Sequence, residues 1–163
     1  MEPVIRAFAS TADAEAFRTL NREWIAHYFV IEEEDERQLS DPVRAYLDPG
    51  GEIFFAELDG RVIGCVAIVP EGSGAWELSK MAVTPAVRGG GIGRRLLTAA
   101  IDGARERGAR AVFLGTSTQL PNAVHLYEAL GFQHVAPDTM HMPYDRADVF
   151  MRLELATEAP GPL

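Results

Sequence analysis

The chain has 163 residues, 47% of them apolar, which suits one globular domain with a sizeable core and excludes a disordered chain. Twenty-four acids against 15 bases give a net charge of −9, which argues against a nucleic-acid partner and sits more easily with a cationic small molecule. No run of about eighteen apolar residues is present to span a membrane, and the N-terminus lacks the basic region and apolar core of a signal peptide. Cys65 is the only cysteine, so no intrachain disulfide forms, and a reducing cytoplasm is the expected location.

Residues 4–8 predict a short first strand. Ser10 or Thr11 can cap the helix that follows, with Asp13 and Glu15 in its first turn. Phe17, Leu20, Trp24 and Tyr28 mark one apolar face of that helix, and Trp24 and Tyr28 read as core or pocket wall, with direct substrate contact the alternative. Residues 32–36 are five acids in succession: the solvated start of a helix, or an acidic lip that attracts a cationic substrate. Leu39, Val43 and Leu47 continue a helical face through Asp41-Pro42, ending at Asp48-Pro49-Gly50-Gly51. Two strand-like runs, 52–58 and 61–69, flank Asp59-Gly60 and predict a hairpin with a two-residue turn. Cys65 lies within the second run, where it reads as a small core residue and not a nucleophile. A loop over 70–75 then crosses to an antiparallel strand, 76–83.

The stretch 83–97 organises the rest. Pro85 stops the strand, glycines fill positions 89, 90, 91 and 93, and Ile92, Leu96, Leu97, Ala100 and Ile101 recur at helical spacing. A glycine loop opening a helix is an anion site, because the first N–H groups have no intrahelical partners and the dipole adds roughly half a positive charge. The phosphates of a nucleotide-type cofactor suit it. A Walker A loop would need Gly-Lys-Ser/Thr where Gly93 is followed by Arg94 and Arg95. G-x-G-x-x-G fails as well, since it demands glycine at Arg94 or at Leu96.

The helix from Ile92 runs to about Arg107, with Gly108 as its stop. A buried strand over 111–116, a short helix over 121–130 stopped by Gly131, a strand over 132–135, an irregular loop over 137–147 and a last strand over 148–155 follow. Residues 157–163, with two prolines and a glycine, predict a loose tail. The order β, α, α, β, β, β, α, β, α, β, β contains no repeat and no linker, so one domain over 1–156 is expected, of the α+β or mixed α/β class with helices on both faces of the sheet.

Two motifs carry a family resemblance. Arg88-x-x-Gly91-x-Gly93, preceded by the strand 77–83, resembles the acetyl-CoA loop of the GCN5-related N-acetyltransferases, the GNAT family. Residues 122–132, Asn-Ala-Val-His-Leu-Tyr-Glu-Ala-Leu-Gly-Phe, are similar to the N-x-x-A-x-x-L-Y-x-x-L-G-F region of the same family, slightly compressed. The resemblance covers about 52–135 well and is weaker before that. It implies a central, mostly antiparallel sheet of six to seven strands, and transfer of acetyl from acetyl-CoA directly to a primary amine of a small molecule or peptide. A non-catalytic acyl-CoA sensor of the same fold is the alternative.

The resemblance also implies roles. The pyrophosphate would lie on the N–H groups of Gly89, Gly90, Gly91, Ile92, Gly93 and Arg94, with Arg88 near the same phosphates. The pantetheine arm would run beside Met81, Ala82 and Val83 like an added strand, with the 111–116 strand splayed away and Asn122 contacting the arm. Arg94 or Arg95 would reach the 3′-phosphate. Tyr127 is the candidate acid beside the thioester sulfur. Glu77 is the candidate base; strict alternation would put it on one strand face with Ser79, Met81 and Val83. His125 reads as a surface or packing residue, and His134 and His141 lack metal-ligand spacing, so no metal is expected. His141, Tyr144, Asp145 and Arg146 fall in a loop that borders the acceptor pocket by analogy with the fold. A homodimer is the default for an assembly of identical chains.

Overall fold

The computed structural model describes residues 2–87, 89–136 and 145–155. The expectations for Arg88, for His141 and Tyr144, and for the 157–163 tail lie outside the described residues.

Seven strands form one sheet: β1 (Val4–Ala7), β2 (Glu52–Leu58), β3 (Arg61–Pro70), β4 (Ala75–Val83), β5 (Ala111–Thr116), β6 (Gln133–His134) and β7 (Val149–Glu154). Their spatial order is β1-β2-β3-β4-β5-β7-β6. Every pairing is antiparallel except β4 with β5. That one parallel pair needs a crossover, which α3 (Ile92–Glu106) supplies. The mostly antiparallel sheet with helices on both faces is the expected architecture.

Local chemistry explains the elements. The β2–β3 turn places Asp59 at φ 53° and Gly60 at φ 77°, the left-handed pair that a two-residue hairpin requires. Helix α1 (Thr11–Tyr28) starts at Ser10 with a capping box closed by Asp13. Helix α2 (Glu33–Ser40) starts at Glu32 with a capping box closed by Asp35. The helical face expected to run on through Leu47 is interrupted at Asp41, and residues Val43–Leu47 form one wide turn of π-helix instead. Pro42 has no N–H to continue the α2 ladder, so the chain restarts there.

The sheet separates two cores. On one face α3 packs Ile92, Leu96, Leu97, Ala100, Ile101 and Ala104 against Val66, Ile68, Trp76, Leu78, Val112 and Leu114. Helix α4 (Pro121–Ala129) joins this side through Ala123, Val124, Leu126 and Tyr127. On the other face α1 and the segment after it pack Phe17, Ile25, Leu39 and Tyr46 against Ile53, Phe55, Cys65, Ala67 and Ala82. Cys65 is fully buried there and burial raises its thiol to about 12, so it is core and inert.

One register fault matters for function. Ala67 pairs with Ser79, but Cys65 pairs with Ala82, so β4 has one residue more than β3 between these pairs. The extra residue is accommodated at Lys80, whose φ is 58° although it is not glycine. The bulge reverses the side-chain parity of β4. Glu77 and Ser79 lie opposite Val69 and Ala67, on the α1 face, whereas Met81 and Val83 pack with the α3 core. The strict alternation expected for these four residues is therefore broken.

Candidate active site

Strands β4 and β5 pair only over Ala75–Glu77 and Ala111–Phe113. Beyond that point a cavity of about 570 Å³ opens between them, walled by Leu78, Ser79, Met81 and Val83 from one strand and Leu114, Gly115 and Thr116 from the other. The gap lets the cavity meet both helical layers. Gly89, Gly91, Ile92, Gly93, Asn122, Leu126 and Tyr127 line it from the α3–α4 side. Asn21, Trp24, Ile25, Tyr28 and Phe29 line it from α1, and Arg146 and Ala147 from the segment before β7. Glu77 and Lys80 also line it.

Among the sequence-predicted residues, Glu77, Met81, Val83, Gly89, Gly91, Ile92, Gly93, Asn122 and Tyr127 thus come together on one cavity. Ala82 turns its side chain into the opposite core, 2% exposed, and contributes only main chain to β4. Gly90 and Arg94 are exposed on the loop and first turn of α3, next to the cavity but not in its wall.

The α3 end of the cavity is built from backbone. Gly91 caps the helix at φ 78°, with no side chain capping it, and the first intrahelical bond is donated by the Arg95 N–H to the Gly91 carbonyl at 3.1 Å. The N–H groups of Ile92, Gly93 and Arg94 precede that bond and have no carbonyl within the helix to take them. A Cβ at Gly89 or Gly91 would meet nothing within 4 Å, so the space above these amides is open. An anion with several oxygens fits these donors, and a pyrophosphate is such a group. Of the two arginines proposed for a further phosphate, Arg95 donates to the Pro3 carbonyl at 2.7 Å.

Tyr127 stands on α4, 6% exposed, with its ring edge-on to Phe132 at 5.7 Å between centroids. Burial raises its phenol to about 12, so the hydroxyl keeps its proton and remains a hydrogen-bond donor. Glu77 sits at the point where β4 and β5 part. Burial, and then the nearby Glu71 carboxylate, raise its carboxyl to about 7 against the opposing pull of Lys80. A carboxyl poised there exchanges its proton at neutral pH.

A group the sequence reading missed shapes the α1 side. Lys80 Nζ donates to Asp35 Oδ1 at 2.8 Å, with side chains 3% and 0% exposed. Arg146 grips the same carboxylate with both terminal nitrogens at 2.7 and 2.8 Å, and also reaches Glu32 at 3.2 Å. The Glu32 N–H supplies a further donor to Asp35 at 2.9 Å. Burial alone would raise the Asp35 carboxyl, but Arg146 and Lys80 together hold it at about 2. Burial draws Lys80 below its ordinary value, with Asp35 opposing. The five-acid run is therefore a helix start but neither fully solvated nor a free lip. Glu34 pairs with Arg37, Glu36 with Arg22 at 2.8 Å, and Glu32 and Asp35 with Arg146 and Lys80. The sequence signal available was Lys80 itself, the one cation in the central strand β4, where a buried charge needs a partner.

A family model for the acetyltransferase (GNAT) family matches residues 14–132. The chain belongs to the GNAT family. Relatives agree. An N-acetyltransferase of Schizosaccharomyces pombe, C1271.07c, is 31% identical over 157 residues, 93% of this chain and 94% of that one. The Escherichia coli N-acetyltransferase YjgM is 37% identical over 100 residues, and the mycothiol acetyltransferase of Cellulomonas flavigena is 32% identical over 154. The chain spans 60% and 43% of the lengths of those last two relatives. Among solved structures, a GNAT acetyltransferase from Staphylococcus aureus Mu50 superposes with a TM-score of 0.85 at 20% identity, covering 94% of this chain and all of that one. The yncA protein of Salmonella typhimurium, solved with acetyl-CoA, gives 0.76 at 27% identity, covering 98% of this chain and 97% of that one. Among the described residues no helix is long and apolar enough to cross a membrane, and no group of three or more His, Cys, Asp or Glu is placed to hold a metal.

Proposed function

We propose that this GNAT protein transfers acetyl from acetyl-CoA to a primary amine, with the coenzyme entering from the α3–α4 side of the cavity and the amine from the α1 side. The observation that carries the reading is the gap between β4 and β5, which joins the open N–H cradle of α3 to the Glu77 carboxyl through one space. The solved relative with acetyl-CoA supports the choice of coenzyme.

When bound, the coenzyme supplies an acetyl thioester: the amine nitrogen forms the new C–N bond as the C–S bond to the departing thiolate breaks. The chain's own residues do the rest. The amides of Gly89 to Arg94, with Arg88, hold the diphosphate. The main chain of Met81 to Val83 lies along the unpaired stretch of β4, where an extended pantetheine amide adds like a strand. Asn122, at the start of α4 and on the cavity wall, is placed to meet the same arm. An alkylammonium has a pKa of about 10 and must lose a proton before it attacks; Glu77, ionised above about 7, accepts it. The Tyr127 hydroxyl donates towards the leaving sulfur. Its raised pKa makes it a persistent donor that gives up its proton less readily than an ordinary phenol.

The test is release of the coenzyme's free thiol from acetyl-CoA in the presence of an amine panel. Tyr127→Phe removes one donor and is expected to lower kcat by about a hundred- to a thousandfold, with coenzyme affinity retained in calorimetry. Undiminished turnover in that variant takes Tyr127 out of the mechanism. Coenzyme binding without thiol release from any amine favours the sensor reading instead.

A further inference from the structure

The α1 compartment of the cavity is unlike what a strongly acidic chain suggests. Glu77 is the one carboxylate in its wall among the described residues. Four of the five acids at the start of α2 are already paired, Asp35 and Glu32 with Lys80 and Arg146, Glu34 with Arg37 and Glu36 with Arg22, and the fifth, Glu33, is exposed and does not line the cavity. Among the described residues the two cations that line the cavity, Lys80 and Arg146, belong to that cluster, whose two positive and two negative charges balance, so it leaves no free carboxylate to pair a second positive charge on an acceptor. An acceptor carboxylate would have to share Arg146 with Asp35 and Glu32.

Opposite Glu77 the wall is aromatic. Trp24 and Tyr28 lie 5.2 Å apart between ring centroids, and Phe29 lies 6.2 Å from Trp24 and 6.4 Å from Tyr28. All three line the cavity from the helical layer that Glu77 and Ser79 face. The Ser79 Oγ is buried and has no partner among the described residues, two positions along the same strand face from Glu77. The compartment thus offers one ionisable carboxyl, one idle hydroxyl beside it and a continuous aromatic surface.

We propose that the acceptor is a singly charged primary amine carried on a flat apolar body, the arylalkylamine class, in preference to a polyamine, an aminoglycoside or a free amino acid. The amine meets Glu77 and Ser79, and the ring lies against Trp24, Tyr28 and Phe29. This assignment rests on the acetyl-transfer reading and narrows it. Offset or edge-on ring contacts add to the area buried, and removing one ring from the wall is expected to cost about tenfold in binding.

The experiment compares kcat/KM for 2-phenylethylamine and tryptamine with that for spermine, kanamycin, phenylalanine and tryptophan, using the full chain and saturating acetyl-CoA. The arylalkylamines are expected to exceed the others by about tenfold or more, the discrimination that one misplaced charge or lost ring contact supplies. Trp24→Ala and, as a second variant with less core burial, Tyr28→Ala are expected to raise the KM for 2-phenylethylamine about tenfold while the KM for acetyl-CoA holds. Circular dichroism establishes that each variant is folded. Faster turnover of spermine, kanamycin or an amino acid overturns the acceptor class and leaves acetyl transfer standing. An unchanged amine KM in a folded variant overturns the aromatic wall. Coenzyme binding without thiol release from any of the amines overturns both readings together.

Discussion

The two sides of β4 enclose one cavity by different physical means. On the α3–α4 side the wall is main chain and apolar surface: glycine amides at a helix start, Ile92, Leu126 and a buried phenol. On the α1 side it is aromatic rings beside a four-charge cluster, buried at Asp35 and Lys80 and half-buried at Glu32 and Arg146. The first wall takes its donors from backbone geometry, so it tolerates side-chain change and resists backbone change. The second depends on named side chains brought from α2, β4 and the approach to β7. Perturbations on the two sides should therefore separate in coenzyme affinity and in amine KM.

The largest effect is expected at the junction of the two sides. Glu77→Gln keeps the shape and removes the proposed base, and should lower kcat by about 10²- to 10⁴-fold. In the wild type the rate should rise as pH passes through about 7, because the carboxyl must be ionised to accept a proton; in the variant that limb disappears. Stability moves the opposite way. The folded carboxyl titrates at about 7 instead of 4.5, so its neutral form favours folding; that contribution is complete below 4.5 and is lost as pH rises through 7. The variant should therefore gain stability on the wild type between pH 5 and pH 8, read by chemical denaturation. A pH–rate profile unchanged by the substitution would assign proton removal to another group.

Next in size is Asp35→Asn, which leaves Lys80 and Arg146 without their buried carboxylate and should cost about 3–5 kcal/mol of folding free energy at pH 7. The sign with pH is fixed by the depressed carboxyl. Its contribution is present above 3.8 and is lost as pH falls through about 2, so the difference between variant and wild type should shrink over that window. In folded variant the amine KM should rise while the coenzyme Kd holds, since Lys80 sits at the bulge and Arg146 on the amine side. Equal changes in both constants would show that the two walls are one unit.

What could be read from the sequence follows the same division. The hairpin at Asp59-Gly60, the glycine loop, α3 and the 122–132 segment are each contained in short stretches, and local φ preference and periodicity specify them. The α3–α4 side of the cavity is assembled from just such stretches, and Glu77 and Tyr127 come to the same cavity wall. The other side depends on contacts at long range: Lys80 meets Asp35 across 45 positions and Arg146 meets it across 111. No local pattern says which of five consecutive acids turns inward, and the run read as solvated or as a lip. The bulge escaped for a related reason. Alternation is a rule for unbroken ladders, and the inserted residue is identified only by the partner strand, where Ala67 and Cys65 fix the register.

The smallest expected effect tests the edge of the coenzyme side, where side chains re-enter. Arg94 and Arg95 follow the glycine loop on successive positions of α3, about 100° apart around the helix. Arg95 is turned towards β1 and donates to the Pro3 carbonyl at 2.7 Å, which commits its guanidinium to the protein. Arg94 is exposed beside the open amides. An exposed guanidinium meeting a phosphate is worth about 1 kcal/mol or less, so Arg94→Ala should weaken coenzyme A binding about fivefold, and less at high salt. The same substitution should leave the affinity for 3′-dephospho-coenzyme A unchanged, because the phosphate it meets is missing from that ligand. Arg95→Ala should alter neither affinity. If instead Arg95→Ala carries the phosphate dependence in calorimetry, its bond to Pro3 gives way on binding, and β1 becomes part of the coenzyme side.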